Sequence, residues 1–110
     1  MIAEADIEKA VDYLRTSAQD AAEARANMKY LGEFLKSKRA QIMAAKVGIS
    51  NAAAEMFALA DPAYLEVLEG YRVAVERDAF FGFKREAASA LIDAWRTQQS
   101  TLRAEGRAYA

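Results

Sequence analysis

Apolar and small side chains recur at steps of three and four residues along two segments of this chain, each about forty residues long, and that spacing is typical of amphipathic helices. The first series shifts once near Ala21–Ala24, in the manner of a heptad repeat with a slip. Its members are Ile7, Val11, Leu14, Ala18, Ala21, Ala24, Met28, Leu31, Leu35, Ile42 and Met43. The second comprises Leu65, Leu68, Tyr71 or Arg72, Val75, Ala79, Phe83, Ala87, Leu91, Ala94, Gln98 and Leu102. We therefore predict two long helices.

The residues that end and begin helices give the expected bounds. Gly48 can adopt the left-handed conformation that terminates a helix, so the first helix should cover residues 4–46. Ser50 offers an N-cap for a short helix over residues 51–60. Asp61 and Pro62 suit the N-cap and first position of a third helix over residues 62–103, because proline lacks only an N–H that would be unpaired there. These bounds predict a single all-α domain over residues 1–110.

The charged residues are distributed in blocks that favour an antiparallel arrangement of the two long helices. Residues 1–24 and 47–80 each contain six acids and two bases, whereas residues 25–46 contain six bases and one acid. Residues 81–110 contain five bases and three acids. Antiparallel pairing sets opposite charges beside each other, although each exposed pair contributes only about 0–1 kcal/mol. We therefore expect a coiled-coil-like antiparallel helical hairpin with the short helix at its turn.

Large apolar side chains are too numerous for one seam between two helices, and a surplus of this kind usually marks an interface. We expect two copies to associate as a homodimer and form a four-helix bundle. The side chains expected at that oligomer interface are Leu31, Phe34, Leu35, Phe80, Phe81, Phe83 and Trp95. Gly82, which lies between two phenylalanines, is the position at which we expect a close helix crossing.

The composition argues against an enzyme and against a resident metal or cofactor. The chain contains neither cysteine nor histidine, so thiolate nucleophiles, the commonest general base and the commonest metal ligands are missing. Ser37 with Lys36 or Lys38 could be considered as a catalytic serine–lysine pair. The geometry is poor, because adjacent helix positions point in different directions. There is no glycine-rich phosphate loop and no dinucleotide fingerprint. We expect a non-enzymatic protein.

A basic segment in the first helix is the main candidate for nucleic-acid contact, although the formal net charge of the whole chain is only −1. Its cations could hold the phosphates of a single strand while Tyr30 and Phe34 stack on bases. The alternative is that they form salt bridges with the acidic third helix. The residues assigned to this candidate are Lys29, Lys36, Lys38, Arg39 and Lys46.

The short helix likewise has two interpretations, because its alanine-rich sequence carries Met56, Phe57 and Leu59. It either plugs the end of the bundle or forms a docking tip for a partner. No run of about 18 apolar residues is present, as a membrane span would require. The acidic start of the chain also lacks the basic and apolar regions of a signal peptide. We therefore expect a cytoplasmic protein without membrane contact.

Three stretches, Tyr30–Ala40, Ala52–Gly70 and Ala94–Gln98, resemble a group of small all-helical bacteriophage and prophage proteins of unassigned function. Their counterparts there read YLEEFRKSKKA, AAAQEREAYAHPEYLELLEG and VWRTQ. This chain departs by having Asp61 where a histidine often stands, and Met56 with Phe57 where charged residues are usual. The resemblance brings no site residues with it, but it implies an origin among phage replication and recombination genes.

Two hypotheses about function follow. The first is an oligomeric phage accessory protein that acts as an adaptor for DNA replication or recombination machinery, or that binds single-stranded DNA weakly. The second is a protein that only contacts other proteins, including an inhibitor of a host factor, and never touches nucleic acid.

Overall fold

The computed structural model describes residues 1–109 and is helical over nearly all of them. Within those residues there are four helices, and we detect no strand. They are α1 (Glu4–Thr16), α2 (Ala18–Ala44), α3 (Asn51–Ala60) and α4 (Pro62–Tyr109). The bounds of α3 and the start of α4 coincide with those expected from the sequence, and the all-α class is confirmed.

Two of the expected helix bounds are wrong. The predicted helix over residues 4–46 is interrupted at Ser17 and ends at Ala44, and the helix predicted to end at residue 103 continues to Tyr109. The Ser17 hydroxyl donates to the Tyr13 carbonyl oxygen, and the Thr16 hydroxyl donates to that of Asp12 at 2.8 Å. Such bonds from serine and threonine bend helices, which accounts for the interruption.

Local capping follows the sequence closely. Gly48 has φ of +83°, the left-handed conformation expected of it, although it lies in the turn beyond α2 rather than directly at the helix end. The Ser50 hydroxyl accepts a hydrogen bond from the Ala53 amide at 3.2 Å and caps α3. Asp61 Oδ1 accepts from the Ala63 amide at 2.8 Å and supports the first turn of α4.

The chain divides into two compact units. Unit 1 contains residues 1–21 together with the chain from residue 80 onward, and unit 2 contains residues 22–79. In unit 1 the Ile2 amide donates to Gln98 Oε1 at 3.2 Å, whereas Leu14 lies beside Arg85. Early residues thus meet late ones in reverse order, and α1 runs antiparallel to the C-terminal part of α4.

Unit 2 shows the same direction of pairing. Arg25 contacts Asp78 at 3.2 Å, and Gly32 lies against the ring of Tyr71. Arg39, further along α2, contacts Glu55 of α3 at 3.7 Å. Within this unit α2 therefore runs antiparallel to the first part of α4, and α3 packs beside them.

Buried and half-buried positions form a seam, by which we mean the side of each helix that faces its neighbour within a unit. In unit 1 they are Ile7, Ala10, Leu14, Ser17 and Ala21, facing Phe81, Arg85, Ala88, Ile92, Trp95 and Gln99. In unit 2 they are Ala24, Met28, Leu31, Leu35, Lys38 and Ile42, facing Tyr64, Val67, Tyr71, Ala74 and Asp78. Steps of three and four alternate throughout both series, as in a heptad repeat.

This seam corrects several sequence-based assignments. The slip expected near Ala21–Ala24 does not occur, because Ala10 and Ser17 occupy the positions that had been given to Val11 and Ala18. On α4 the seam shares only Tyr71 with the predicted series, where Tyr71 and Arg72 were the two alternatives. The large apolar members of the predicted series that are exposed are Leu65, Leu68, Val75, Phe83 and Leu102.

The close helix approach occurs at Gly32 rather than at Gly82. A Cβ atom on Gly32 would lie 3.2 Å from Tyr71 Cε2, whereas one on Gly82 would meet nothing within 4 Å in the described residues. The expectation for Gly82 rested on its aromatic neighbours in sequence, but those neighbours point to either side of a glycine that faces open space.

Candidate interaction surfaces

Four exposed residues of α2 and one glycine form a line that we call the basic stripe: Arg25, Lys29, Gly32, Lys36 and Arg39. They follow one another at steps of four and three, so they share one face of α2 beside the seam. The stripe extends over about 21 Å at 1.5 Å per residue. Three of its cations are the predicted nucleic-acid residues Lys29, Lys36 and Arg39.

The basic stripe has a gap in its middle, at Gly32. Because Gly32 has no side chain, a groove of about 590 Å³ opens to solvent there, and we call it the Gly32 groove. The ring of Tyr71 forms part of its floor, and Met28 and Leu35 supply apolar walls. Lys29 and Lys36 lie along its rim. Glu33, the ion-pair partner of Lys36, lines it as well, so the groove combines an apolar bottom with an edge of two cations and one carboxylate.

Most cations of the predicted nucleic-acid set already have partners within unit 2. Arg39 pairs with Glu55, and Lys36 Nζ lies 3.2 Å from Glu33 Oε1 on the same helix. Lys46 Nζ lies 4.9 Å from the centre of the Phe57 ring, a cation–π contact. The salt-bridge interpretation of this segment thus accounts for part of its charge.

The remaining two members of that set differ from each other. Lys29 is exposed, and no carboxylate pairs with it among residues 1–109. Lys38 is half-buried at a seam position, on a different side of α2 from the basic stripe. The five predicted residues therefore do not form one surface.

The predicted oligomer interface also separates into two groups. Leu31, Leu35, Phe81 and Trp95 are half-buried seam residues, and they are engaged within the chain. Phe34, Phe80 and Phe83 remain exposed, Phe83 to 72 %. Only this second group is available to a partner.

An exposed aromatic pair lies on α2. The rings of Tyr30 and Phe34 are stacked with centroids 6.2 Å apart and planes inclined by 16°. Tyr30 is 65 % exposed, so a flat surface is open to solvent. Stacked rings of this kind can receive the face of a nucleobase or the side chain of a protein partner.

Helix α3 directs its small side chains inward and its large ones outward. Ala54 and Ala58 are buried, whereas Met56 and Phe57 are 73 % and 56 % exposed. Burial of large apolar groups is normally favourable, so this reversed pattern indicates an unpaired apolar surface. We call the exposed side of this helix the α3 outer face. The docking interpretation of the short helix gains support from it.

Unit 1 contains a polar site that sequence reasoning missed. Arg85 Nη1 donates to the Leu14 carbonyl oxygen and to the Ser17 hydroxyl, each at 2.7 Å. Ser17 is only 6 % exposed. Its neighbour across the seam is Arg85, a cation whose hydrogen bonds go to two neutral acceptors. The signal that could have revealed this site is the heptad spacing itself, which passes through Ser17 and Arg85 once polar residues are admitted to the seam.

Two further polar atoms of unit 1 are enclosed. The Tyr13 hydroxyl and the Trp95 indole N–H are shielded from solvent and have no hydrogen-bond partner among the described residues. The Lys84 ammonium lies 4.8 Å from the centre of the Tyr13 ring. Trp95 is half-buried and therefore is not part of an exposed patch.

The only resolved changes of pKa within residues 1–109 occur on the exposed surface of α4. A hydrogen bond from Arg72 lowers the pKa of Glu69, and the same contact raises the pKa of Arg72. Arg72 also contacts Glu76 at 3.2 Å. This group is an ion-pair network on a solvated helix face, and it gives no sign of acid–base chemistry.

Comparison with known proteins found no match to any family model, curated protein or solved structure. Within residues 1–109, none of the helices combines the length and the apolar character needed to cross a membrane. The function must therefore be inferred from the surfaces described above.

Proposed function

We propose that this chain is a non-enzymatic helical protein that works by binding other proteins, and that its first partner is a second copy of itself. In this proposal the homodimer forms a four-helix bundle and acts as an adaptor. The resemblance to phage proteins suggests a role beside DNA replication or recombination machinery in the cytoplasm of a bacterial host.

The observation that supports this proposal is the inverted size of the inner and outer apolar side chains. The buried apolar residues of the described chain are Ile7, Ala10, Ala24, Ala54, Ala58 and Ala74. Five of these six residues are alanine, whereas Phe83, Phe57 and Met56 are more than half exposed. Burying each large exposed side chain in a partner would contribute about 1.5–3 kcal/mol.

Self-association fits the small size of each unit as well. Small domains bury a limited share of their apolar surface and often gain stability by oligomerisation. Two helical layers from each copy can cover one another's exposed faces and form one common core. A partner protein could then bind whatever apolar surface remains outside.

Thermal unfolding at two protein concentrations tests the self-association. Because dimerisation stabilises only the folded state, the midpoint temperature should rise as the concentration is increased a hundredfold. A midpoint that does not depend on concentration would contradict the proposal. The exposed surface would then have to serve a different protein.

Weak binding to single-stranded DNA is a second candidate, and the stacked Tyr30–Phe34 pair favours it. Lys29 and Lys36 on the same helix could contact the backbone of the strand. A labelled oligonucleotide in about 50 mM salt should then bind, and its affinity should fall steeply as salt is added. Lys36, Lys38 and Arg39 changed together to alanine should weaken it. If no binding occurs at low salt, the purely protein-binding function remains.

A further inference from the structure

Helix α1 carries a line of exposed residues that mirrors the basic stripe of α2. Glu4, Glu8, Val11 and Arg15 follow one another at steps of four, three and four, and we call them the acidic stripe. Val11 is 49 % exposed and is the apolar member of this line. A shallow groove of about 450 Å³ surrounds it, with Ile7, Asp12 and Arg15 on its walls.

The two stripes complement each other in charge and in shape. The acidic stripe presents the carboxylates of Glu4 and Glu8 beside the apolar side chain of Val11. The basic stripe presents cations beside the Gly32 groove. When the two helices run in opposite directions, the acidic stripe steps by four, three and four residues, and the basic stripe from Arg39 back to Lys29 steps by three, four and three. With Val11 at Gly32, Glu4 lies at the height of Arg39, and Glu8 lies one residue from the height of Lys36. Charge complementarity of this kind selects a partner and its orientation.

We propose that the acidic stripe of one copy docks antiparallel on the basic stripe of a second copy. Val11 enters the Gly32 groove of the partner, Glu8 pairs with the partner's Lys36, and Glu4 pairs with the partner's Arg39. This inference rests on the proposed self-association and names one charged contact of it; Phe83, Phe57 and Met56 lie outside both stripes. Each copy carries one stripe of each kind.

The spacings along the helices agree with this pairing. Glu8 precedes Val11 by three residues, and Lys36 follows Gly32 by four, which corresponds to about 4.5 Å and 6 Å along the two axes. The flexible side chains of glutamate and lysine cover this difference. Glu4 and the partner's Arg39 each lie a further helical turn away from Val11 and the Gly32 groove.

In this arrangement two side chains of like charge also come close to each other. Arg15 comes near the partner's Lys29, but Asp12 already holds Arg15 at 2.9 Å and offsets its charge. At the far end of the stripe, Arg25 keeps its own partner Asp78. When the second copy docks, Lys36 leaves Glu33 of its own chain and Arg39 leaves Glu55. Each then pairs with a carboxylate of the second copy, and both sites are exposed.

Exchange of the charges at one contact tests the inference. Glu8→Lys and Lys36→Glu should each weaken the dimer about tenfold, because each reversal sets like charges together in the contact. The Glu8→Lys, Lys36→Glu double variant should recover the original affinity. An equimolar mixture of the two single variants should recover it too, since each then meets an opposite charge.

Matched controls separate this contact from general effects of charge. Lys9→Glu and Glu105→Lys make the same changes at exposed positions outside both stripes, and they should leave the dissociation constant unchanged. Circular dichroism of every variant establishes that the helices remain folded. Dissociation constants come from sedimentation equilibrium.

The outcomes are distinguishable. If the unchanged chain is monomeric, the proposed self-association fails, and this inference fails with it. If the unchanged chain dimerises but the single variants associate as tightly as it does, the contact lies elsewhere and only the inference is overturned. Single variants that weaken the dimer without recovery in the double variant or the mixture would also overturn the pairing of Glu8 with Lys36.

Discussion

The two units of this chain solve the same packing problem by different means. The seam of unit 1 contains a charged side chain, Arg85, which is held by the Leu14 carbonyl and the Ser17 hydroxyl. The seam of unit 2 relies on small residues, with Ala24 and Ala74 buried and Gly32 beneath the ring of Tyr71. One unit is thus specified by hydrogen bonds and the other by close approach.

This difference shows two ways in which an antiparallel helix pair can define its register. A shift of unit 1 by one residue would leave the Arg85 guanidinium without its acceptors, and an unpaired buried cation is costly. A shift of unit 2 would bring a Cβ atom against the Tyr71 ring. The large apolar side chains of the seam, such as Leu31 and Trp95, are only half-buried, and Phe83 is left on the surface.

The largest effect should come from overfilling the seam of unit 2 at α3. Ala58 is 0 % exposed, so Ala58→Leu has no room and should destabilise the protein by about 3 kcal/mol. Urea denaturation followed by circular dichroism measures the loss. Ala52→Leu, at an exposed position of the same helix, should cost little. Equal losses for both variants would mean that α3 does not pack as described.

Removal of the Arg85 side chain should have the next largest effect, this time in unit 1. Arg85→Ala breaks two hydrogen bonds that a charged donor makes, and we expect a loss of about 2 kcal/mol in the free energy of unfolding. Arg96→Ala removes a solvated arginine from the same helix and serves as the control. If both substitutions have the same small effect, the polar site does not hold the seam of unit 1 together.

Substitution of two glycines distinguishes close approach from open space within unit 2. Gly70 faces nothing within 4 Å among the described residues, so Gly70→Ala should stabilise the protein by about 1 kcal/mol through helix propensity. Gly32→Ala brings a Cβ atom to 3.2 Å from the Tyr71 ring and should gain clearly less. Midpoints of thermal unfolding compare the two. A full gain at Gly32 would show that the helices are not in close contact there.

The smallest effect concerns the exposed Glu69–Arg72 pair. Arg72 lowers the pKa of Glu69 in the folded protein, so the pair stabilises the fold above the ordinary carboxylate pKa. That contribution is lost as the pH falls through the lowered value. An NMR titration should show the pKa of Glu69 rising towards 4.5 in Arg72→Ala. No change in that variant would mean that the contact is absent in solution.

The sequence indicates the helices and their caps because these depend on local chemistry. Ser50, Asp61 and Pro62 act on the residues beside them, and their roles can be read without knowledge of the fold. The interruption at Ser17 could not be read in this way. It depends on hydrogen bonds to backbone carbonyls, including one from Arg85, a residue far along the chain.

The seam itself was harder to predict, for a physical reason. Sequence analysis assumes that the largest apolar side chains face inward, and that assumption assigned Val11 and Phe83 to the seam. Close approach instead selects alanine, and hydrogen bonding selects Ser17 and Arg85. The cations of α2 were identified as a group, but Lys38 faces the seam and only the structure separates it from the exposed stripe.

The central claim is that the exposed apolar and charged surfaces of this chain serve a second copy. Sedimentation equilibrium of the unchanged protein over a wide range of concentrations tests this claim most directly. The account predicts a species with twice the mass of the chain, which dissociates on dilution. A single species with the mass of one chain at every concentration would contradict it.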